Sequence, residues 1–207
     1  MTELASAPCR HPSTGALERV IRRASTRRQE SEERCELCSV PVLPGHRHLL
    51  DTDRGEVMCC CQACSLLFDK GASSKGHYRL VPRRRVRLPA VPTKDLGVPV
   101  GLAFFVPRAD GRVIAHYPSP AGAAQWEVDP QAWAEVVQSC PQLRTLAADV
   151  QALLVNTARG EQHHWLVPID DCFRLVAVVR GEWKGLSGGS RVWPEISRFF
   201  AELTEQR

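Results

Sequence analysis

Short apolar runs and turn signals alternate along the second half of the chain. The runs predict five strands, at residues 98–106, 112–117, 152–155, 165–169 and 173–179. An Asp110-Gly111 tip between the first two runs predicts a hairpin. Apolar residues at helical spacing predict two helices, which begin at the Asp129-Pro130 cap and at the Ser190 cap. Strands with short connections and inserted helices predict an α+β domain with a mainly antiparallel sheet over residues 96–207.

The first half of the chain lacks this pattern. Residues 1–34 predict a polar arm or a short amphipathic helix, because apolar residues recur at helical spacing only between residues 17 and 24. Residues 35–70 are rich in cysteine and histidine and poor in large apolar side chains, so a bound metal would have to replace the missing core of this small ribbon. Residues 71–95 combine prolines with a run of arginines, which predicts an extended linker and the domain boundary.

The composition is that of a globular protein without a membrane span. The chain has 207 residues, of which 43% are hydrophobic, enough to form a core. Its longest apolar run, at residues 97–107, is shorter than the ~18 residues that a membrane span needs. The first twenty residues are polar and contain no signal-peptide core. We therefore expect a cytoplasmic protein.

Basic residues are concentrated in the first half. Residues 1–95 contain 17 Lys and Arg against 11 Asp and Glu, a net charge of +6, while residues 96–207 contain 10 against 12. The arginines at residues 83–87 can contact phosphates, but Tyr78 is the one aromatic residue near them that can stack on a base. This pattern favours a solvated linker or an acidic protein partner over nucleic acid.

Cysteines carry the clearest chemical signal. Six of the nine lie within residues 35–64 of a chain with no export signal, where metal binding is more expected than disulfides. The two C-x-x-C pairs, Cys35 with Cys38 and Cys61 with Cys64, are separated by 22 residues and can place four thiolates tetrahedrally around one ion. Zinc is the favoured metal, and a single iron or an iron–sulfur cluster is the alternative.

Further donors lie between the two pairs. Cys59 precedes the second pair, and His46 and His48 form an H-x-H pair whose side chains project from the same side of an extended segment. One interpretation is that the four paired cysteines alone bind one ion. The other is a mixed or two-metal site that also recruits Cys59 and His46 or His48. The sequence leaves both open.

Familiar catalytic motifs are absent from the sequence: it contains no G-x-S-x-G, Walker A or dinucleotide fingerprint. Treble-clef nucleases share the C-x-x-C start followed by histidines, but the stretch after Cys64 lacks the further histidine or asparagine ligands that they need. Residues 185–189 are glycine-rich and directly precede a predicted helix. They could bind an anion at the start of that helix, or they could form a simple turn and cap. Two aspartates precede Cys172, and negative charge raises a thiol pKa instead of activating the thiol. The sequence favours a non-enzymatic protein and assigns no role to Cys140, Cys172 or residues 185–189.

Several strings together resemble a bacterial family of unknown function, over residues 35–205. The strings are CELC at 35–38, HRHLLD at 46–51, CCCQACSLLF at 59–68, YPSPAGA at 117–123, ALLVN at 152–156, PIDDCFRLV at 168–176, WKGLSGG at 183–189 and FFAEL at 199–203. Genes of that family tend to lie beside those of nickel–iron uptake hydrogenases in high-GC bacteria. The resemblance implies an accessory or electron-transfer role around such a hydrogenase. It also implies that Cys59, Cys61 and Cys64 are better ligand candidates than Cys60.

Three functional hypotheses follow. In the first, the protein is a non-enzymatic metal-binding accessory protein, whose ribbon organises an interaction surface while the α+β domain docks a hydrogenase subunit or a maturation factor. In the second, the same cysteines hold iron, as a rubredoxin-like centre or an iron–sulfur cluster, and pass single electrons. In the third, it is a nucleic-acid-binding zinc protein. The sequence favours the first.

Overall fold

The computed structural model describes residues 33–68, 76–97, 101–184 and 191–205. Three predictions fall outside these ranges: the N-terminal arm or helix up to residue 32, the glycine-rich segment at residues 185–189, and the Ser190 cap. Within the ranges described, no helix is both long enough and apolar enough to cross a membrane.

A small three-stranded sheet lies in the Cys-rich part of the chain. Its strands are β1 (Arg47–Asp51), β2 (Glu56–Cys60) and β3 (Tyr78–Leu80), in the spatial order β2-β1-β3. Both pairings are antiparallel. The turn between β1 and β2 is closed by the backbone N–H of Gly55, which donates to the carbonyl of Asp51 at 2.8 Å. The resulting hairpin occupies the interval between the two C-x-x-C pairs.

A six-stranded sheet forms the centre of the molecule. Its strands are β4 (Val86–Arg87), β5 (Leu102–Pro107), β6 (Val113–Ser119), β7 (Gly122–Glu127), β8 (Gln151–Asn156) and β9 (His163–Pro168). They lie in the order β4-β9-β8-β5-β6-β7, and every neighbouring pair is antiparallel. Antiparallel neighbours need only short connections, which agrees with the closely spaced apolar runs in the sequence.

The described residues also form four α-helices and four short 3₁₀ turns. The helices are α1 (Gln62–Ser65), α2 (Pro130–Ser139), α3 (Ile169–Glu182) and α4 (Val192–Glu205). The 3₁₀ turns are Leu66–Phe68, Lys94–Leu96, Pro141–Thr145 and Ala158–Gly160. The predicted α+β class with mainly antiparallel sheet is confirmed.

Both faces of the larger sheet are covered. Along β5, alternate side chains enter different cores, as the period of a strand requires. Phe104 belongs to the core formed with α3 and α4, and Phe105 to the core formed with α2 and the buried side chains of residues 88–96. The sheet is therefore the middle layer of three, with α3 and α4 on one side and α2 on the other.

Several local predictions in this half are confirmed. The hairpin between β5 and β6 turns at the Asp110-Gly111 tip, where the N–H of Gly111 donates to the carbonyl of Arg108 at 3.0 Å. Asp129 caps α2, because its carboxylate accepts the N–H of Ala132 at 2.9 Å, and Pro130 occupies the first turn. Helix α4 buries the five side chains predicted to face inward, namely Val192, Ile196, Phe199, Phe200 and Leu203.

The predicted strand at residues 173–179 is wrong, because these residues lie within helix α3. A continuous apolar run fits a buried strand and a buried helix equally well when it is read alone. Packing decides between them here: Ile169, Cys172, Leu175 and Val179 recur at helical spacing and are buried in the core shared with the sheet and α4.

The segment predicted as a linker contributes strands to both sheets. Its residues 78–80 form β3, which pairs with β1, and its residues 86–87 form β4, which pairs with β9. Val81, which follows β3, and Leu50 of β1 are both buried in the core of α3 and α4. The Cys-rich part thus shares apolar contacts with the larger domain, and the proposed domain boundaries stay a prediction.

Candidate metal centre

The first C-x-x-C pair lies in a tight loop that the backbone closes on itself. The N–H of Cys35 donates to the carbonyl of Val40 at 2.9 Å, and the N–H of Ser39 donates back to the carbonyl of Cys35 at 2.7 Å. Ser39 completes the turn in the left-handed region, at a φ of 62°. Cys35 is buried and Cys38 is exposed, so the loop holds one sulfur inside the ribbon and the other at its surface.

The second pair begins a helix instead of forming another such loop. Cys61 is the N-cap of α1, and its sulfur accepts the N–H of Cys64 at 3.4 Å, which places Cys64 in the first turn. The chain thus runs from a knuckle through the β1–β2 hairpin into a helix. The antiparallel hairpin returns the chain, so that the two C-x-x-C pairs meet.

The four sulfurs converge. The Sγ atoms of Cys35, Cys38, Cys61 and Cys64 all lie within 4.8 Å of one another, and those of Cys38 and Cys61 are 3.7 Å apart. Four sulfurs placed tetrahedrally about 2.3 Å from a zinc ion are about 3.8 Å apart from each other. The cluster can therefore hold one metal ion of this size.

The protonation of these thiols is uneven. Burial raises the pKa of Cys35, but the backbone N–H groups of Cys61, Cys38 and Leu37 outweigh it and lower that pKa to about 6. The pKa of Cys64 is raised, mainly by its hydrogen bonds with the thiols of Cys61 and Cys38. Without a cation the cluster therefore stabilises one thiolate at the expense of the others, because negative charges so close together repel. A bound metal would remove this conflict.

Cys60 stands apart from the cluster. It is fully buried on the opposite side of β2 from its neighbours in sequence, and its sulfur donates to the carbonyl of Cys61 at 3.4 Å. Burial and the nearby sulfur of Cys35 raise the pKa of Cys60 to about 12. Cys60 therefore packs in the small core with Cys35 and Leu49, and it is not among the four cysteines whose sulfurs converge.

A second group of donors lies beside the first. One ring nitrogen from each of His46 and His48 and the sulfur of Cys59 lie within 4.8 Å of one another. Nδ1 of His48 lies 2.7 Å from Oδ2 of Asp170, at the start of α3. No sequence motif predicts Asp170 as a partner of His48, since the two residues are 122 positions apart.

A third group, which the sequence analysis missed, joins Asp51, Asp53 and His77 within 4.8 Å. Asp51 already has a structural task, because its Oδ1 accepts the N–H groups of Asp53 and Arg54 at 3.0 and 3.1 Å. These bonds form the turn after β1. The group is therefore explained by local backbone geometry.

The basic run is bound largely by the protein itself. Arg83 donates to the carbonyl of Gly45, and Arg84 donates to the hydroxyl of Thr145 at 3.1 Å. Arg85 forms two hydrogen bonds with the buried carboxylate of Asp171, at 2.5 and 3.0 Å. These hydrogen bonds hold the segment between β3 and β4 against the rest of the protein.

The two remaining described cysteines are buried in the larger domain. Cys172 lies in α3 in the core, where burial, followed by the charges of Asp171 and Asp170, raises its pKa well above the ordinary value. The sulfur of Cys140 donates to the side-chain oxygen of Gln142 at 3.3 Å. Both are core residues in this structure.

A family model described as "Family of unknown function (DUF5947)" fits residues 34–207. No curated protein and no solved structure matches the chain. The match begins one residue before Cys35 and includes every residue of the three donor groups.

Proposed function

The chain belongs to the DUF5947 family, and we propose that it is a non-enzymatic protein that binds one zinc ion through Cys35, Cys38, Cys61 and Cys64. The observation that carries this proposal is the convergence of the four sulfurs within 4.8 Å. Zinc bound by four thiolates is a closed structural site, since all four tetrahedral positions are occupied by protein and none is left for a substrate. The metal would stabilise a segment whose own apolar core is small.

The spacing of the sulfurs favours a single ion over a cluster. An iron–sulfur cluster distributes its four cysteines over two or more iron atoms, so its thiolates must be farther apart than those around one metal. One iron ion in the same shell is the second candidate, and it would make the protein a one-electron carrier. The exposure of Cys38 favours that candidate, because electron transfer benefits from a ligand at the surface.

We also infer a protein partner that binds at the metal-binding segment. Five large apolar side chains are exposed among the described residues, and all of them lie between residues 37 and 67: Leu37, Val40, Leu43, Leu66 and Leu67. Concentrated exposed apolar surface is typical of an interaction site. The family resemblance drawn from the sequence supports a nickel–iron hydrogenase subunit or a maturation factor as this partner, in the cytoplasm.

Metal content measured by mass spectrometry tests the proposal, on protein purified without oxygen and with a visible spectrum of the same sample. We expect Cys38→Ser and Cys64→Ser each to lose one equivalent of zinc relative to the wild type. Cys140→Ser is the matched control, because serine keeps the hydrogen bond to Gln142 and the residue lies outside the cluster. Unchanged zinc content in both cluster variants would refute the ligand assignment. Iron with visible absorption would establish the electron carrier instead.

A further inference from the structure

We propose that His46, His48 and Cys59 form a second metal site, which binds a zinc-like divalent cation through three protein ligands and leaves its fourth position open to a small anion. The three donor atoms lie within 4.8 Å of one another. None of them belongs to the four-cysteine site. Strand register, the partners of the two imidazoles and the cavity beside them all support this site.

The β1–β2 pairing brings two of the ligands together. His48 lies directly opposite Cys59 in the register. The N–H and carbonyl of Cys59 bond to Glu36, and the carbonyl of His48 accepts from Val81 on the other side. The pair is therefore at a non-hydrogen-bonded position, where facing side chains are closest. His46 precedes His48 by two residues and projects from the same face, and the two rings are 4.7 Å apart at an angle of 71°.

Hydrogen bonds prepare both imidazoles to bind through Nε2. Nδ1 of His48 lies 2.7 Å from the carboxylate of Asp170, and Nδ1 of His46 lies 3.1 Å from the carbonyl of Leu43. A carbonyl and a carboxylate both accept, so each Nδ1 donates a proton, and Nε2 of the neutral imidazole is then the nitrogen that can bind a metal. A histidine that donates its other ring N–H to a carboxylate or a carbonyl is the usual arrangement around a protein-bound metal.

His46 gives the strongest indication that a ligand belongs here. Its side chain is only 8% exposed, and its Nε2 is buried without a hydrogen-bond partner among the residues the structure describes. A buried polar atom that has no hydrogen-bond partner destabilises the folded state. The fold holds this nitrogen in place through the bond at Nδ1 while leaving it unused. A cation shared with His48 and Cys59 would satisfy it.

The cavity beside the histidines indicates what completes the coordination. It has a volume of about 380 Å³, and both His46 and His48 line it. The charged side chains that also line it are three arginines and one aspartate, namely Arg47, Arg83, Arg85 and Asp170. Three protein ligands leave a fourth tetrahedral position free, as in zinc sites that exchange water or substrate. Because Arg85 is already paired with Asp171, the excess positive charge comes from Arg47 and Arg83, and it favours a small anion in that position.

Cobalt substitution of the full chain tests this site. Metal-free protein kept under reducing conditions is titrated with Co²⁺ alone, and its absorption is recorded together with metal content. We expect two cobalt ions per wild-type chain, and one per chain for His48→Gln and for Cys59→Ser. Both variants should retain the four-thiolate cobalt spectrum, which also shows that the ribbon is folded. His77→Gln, the same substitution at a histidine outside the group, should bind two ions.

The outcomes separate the two sites. Cys38→Ser should lose the four-thiolate spectrum and keep the second ion, so failure of the first site does not imply failure of the second. Azide added to the wild-type protein with two cobalt ions should change the spectrum of the second site alone. One cobalt ion in the wild type, or two in both His48→Gln and Cys59→Ser, would overturn the proposed site. No response to azide would overturn its open position.

Discussion

Leu50→Ala tests whether the metal-binding segment and the larger domain share one core. Leu50 lies in β1 of the small sheet, yet it is 3% exposed and belongs to the core of α3 and α4. Its neighbour Leu49 points to the other face of the same strand and is buried with Cys35 and Cys60. The two leucines therefore report on two different cores from adjacent positions.

The size of the expected effect follows from burial. A Leu→Ala change at a fully buried position costs about 2–5 kcal/mol, and partial collapse of the cavity lowers the cost within that range. At about 3 kcal/mol, a chain of this length should lose about 6–12 °C of Tm. Leu49→Ala removes the same atoms, so it is the matched control. We expect Leu49→Ala to speed zinc loss to a chelator and to shift the unfolding of the larger domain much less.

Tryptophan fluorescence during thermal unfolding provides the assay. All five tryptophans lie at residue 126 or later, so the signal comes from the larger domain and not from the segment that contains Leu50. A lower fluorescence Tm in Leu50→Ala thus requires contact between the two parts. If Leu50→Ala loses zinc but keeps a fluorescence Tm within about 1 °C of the wild type, the shared core is refuted and two independent domains are favoured.

Three further predictions concern single contacts. Burial, followed by a nearby arginine, lowers the pKa of His116 to about 4, whereas a histidine in the unfolded chain titrates near pH 6.5. The free energy of unfolding should therefore keep its full value above pH 6.5 and fall by up to about 3 kcal/mol as the pH decreases to 4. His116→Phe should be more stable relative to the wild type at pH 5 than at pH 7 in urea unfolding, and a difference independent of pH would contradict this. Asp171→Asn leaves Arg85 without its buried partner and should cost about 3 kcal/mol in urea unfolding, whereas a loss below about 1 kcal/mol would mean that solvent replaces the pair. Gly101→Ala should lower Tm more than Gly111→Ala. Both glycines have a positive φ, but a Cβ at Gly101 would lie 2.6 Å from a backbone nitrogen, whereas a Cβ at Gly111 would meet nothing within 4 Å. Equal decreases in Tm would argue against the steric clash.

The sequence predicts best those elements whose signals are local. Helix α4 buries Val192, Ile196 and Phe199 at a spacing that no strand can match. The cap of α2 is equally readable, because Asp129 and Pro130 act on the turn that directly follows them. The two C-x-x-C pairs belong to the same class, since a short covalent spacing brings each pair of sulfurs together.

Elements whose form depends on distant contacts were predicted less well. Strand β7 has no alternating pattern and, among the residues described, pairs with β6 alone at the edge of the sheet, so its register comes from the preceding turn. The prolines of residues 82–92 predict an extended linker, but nothing local shows that residues 78–80 and 86–87 pair with two different sheets. The bond between His48 and Asp170 is the extreme case, because chain folding alone brings the two residues together.

The first turn of α3 has a consequence for how this protein can be engineered. Asp170 bonds to His48 of the small sheet, and the adjacent Asp171 bonds to Arg85. A chimaera that carries only the metal-binding segment would leave both of these partners behind. The metal-binding segment therefore cannot be transferred alone. A graft that keeps His48 oriented as it is here must include the start of α3, or its new scaffold must supply a carboxylate in the same position.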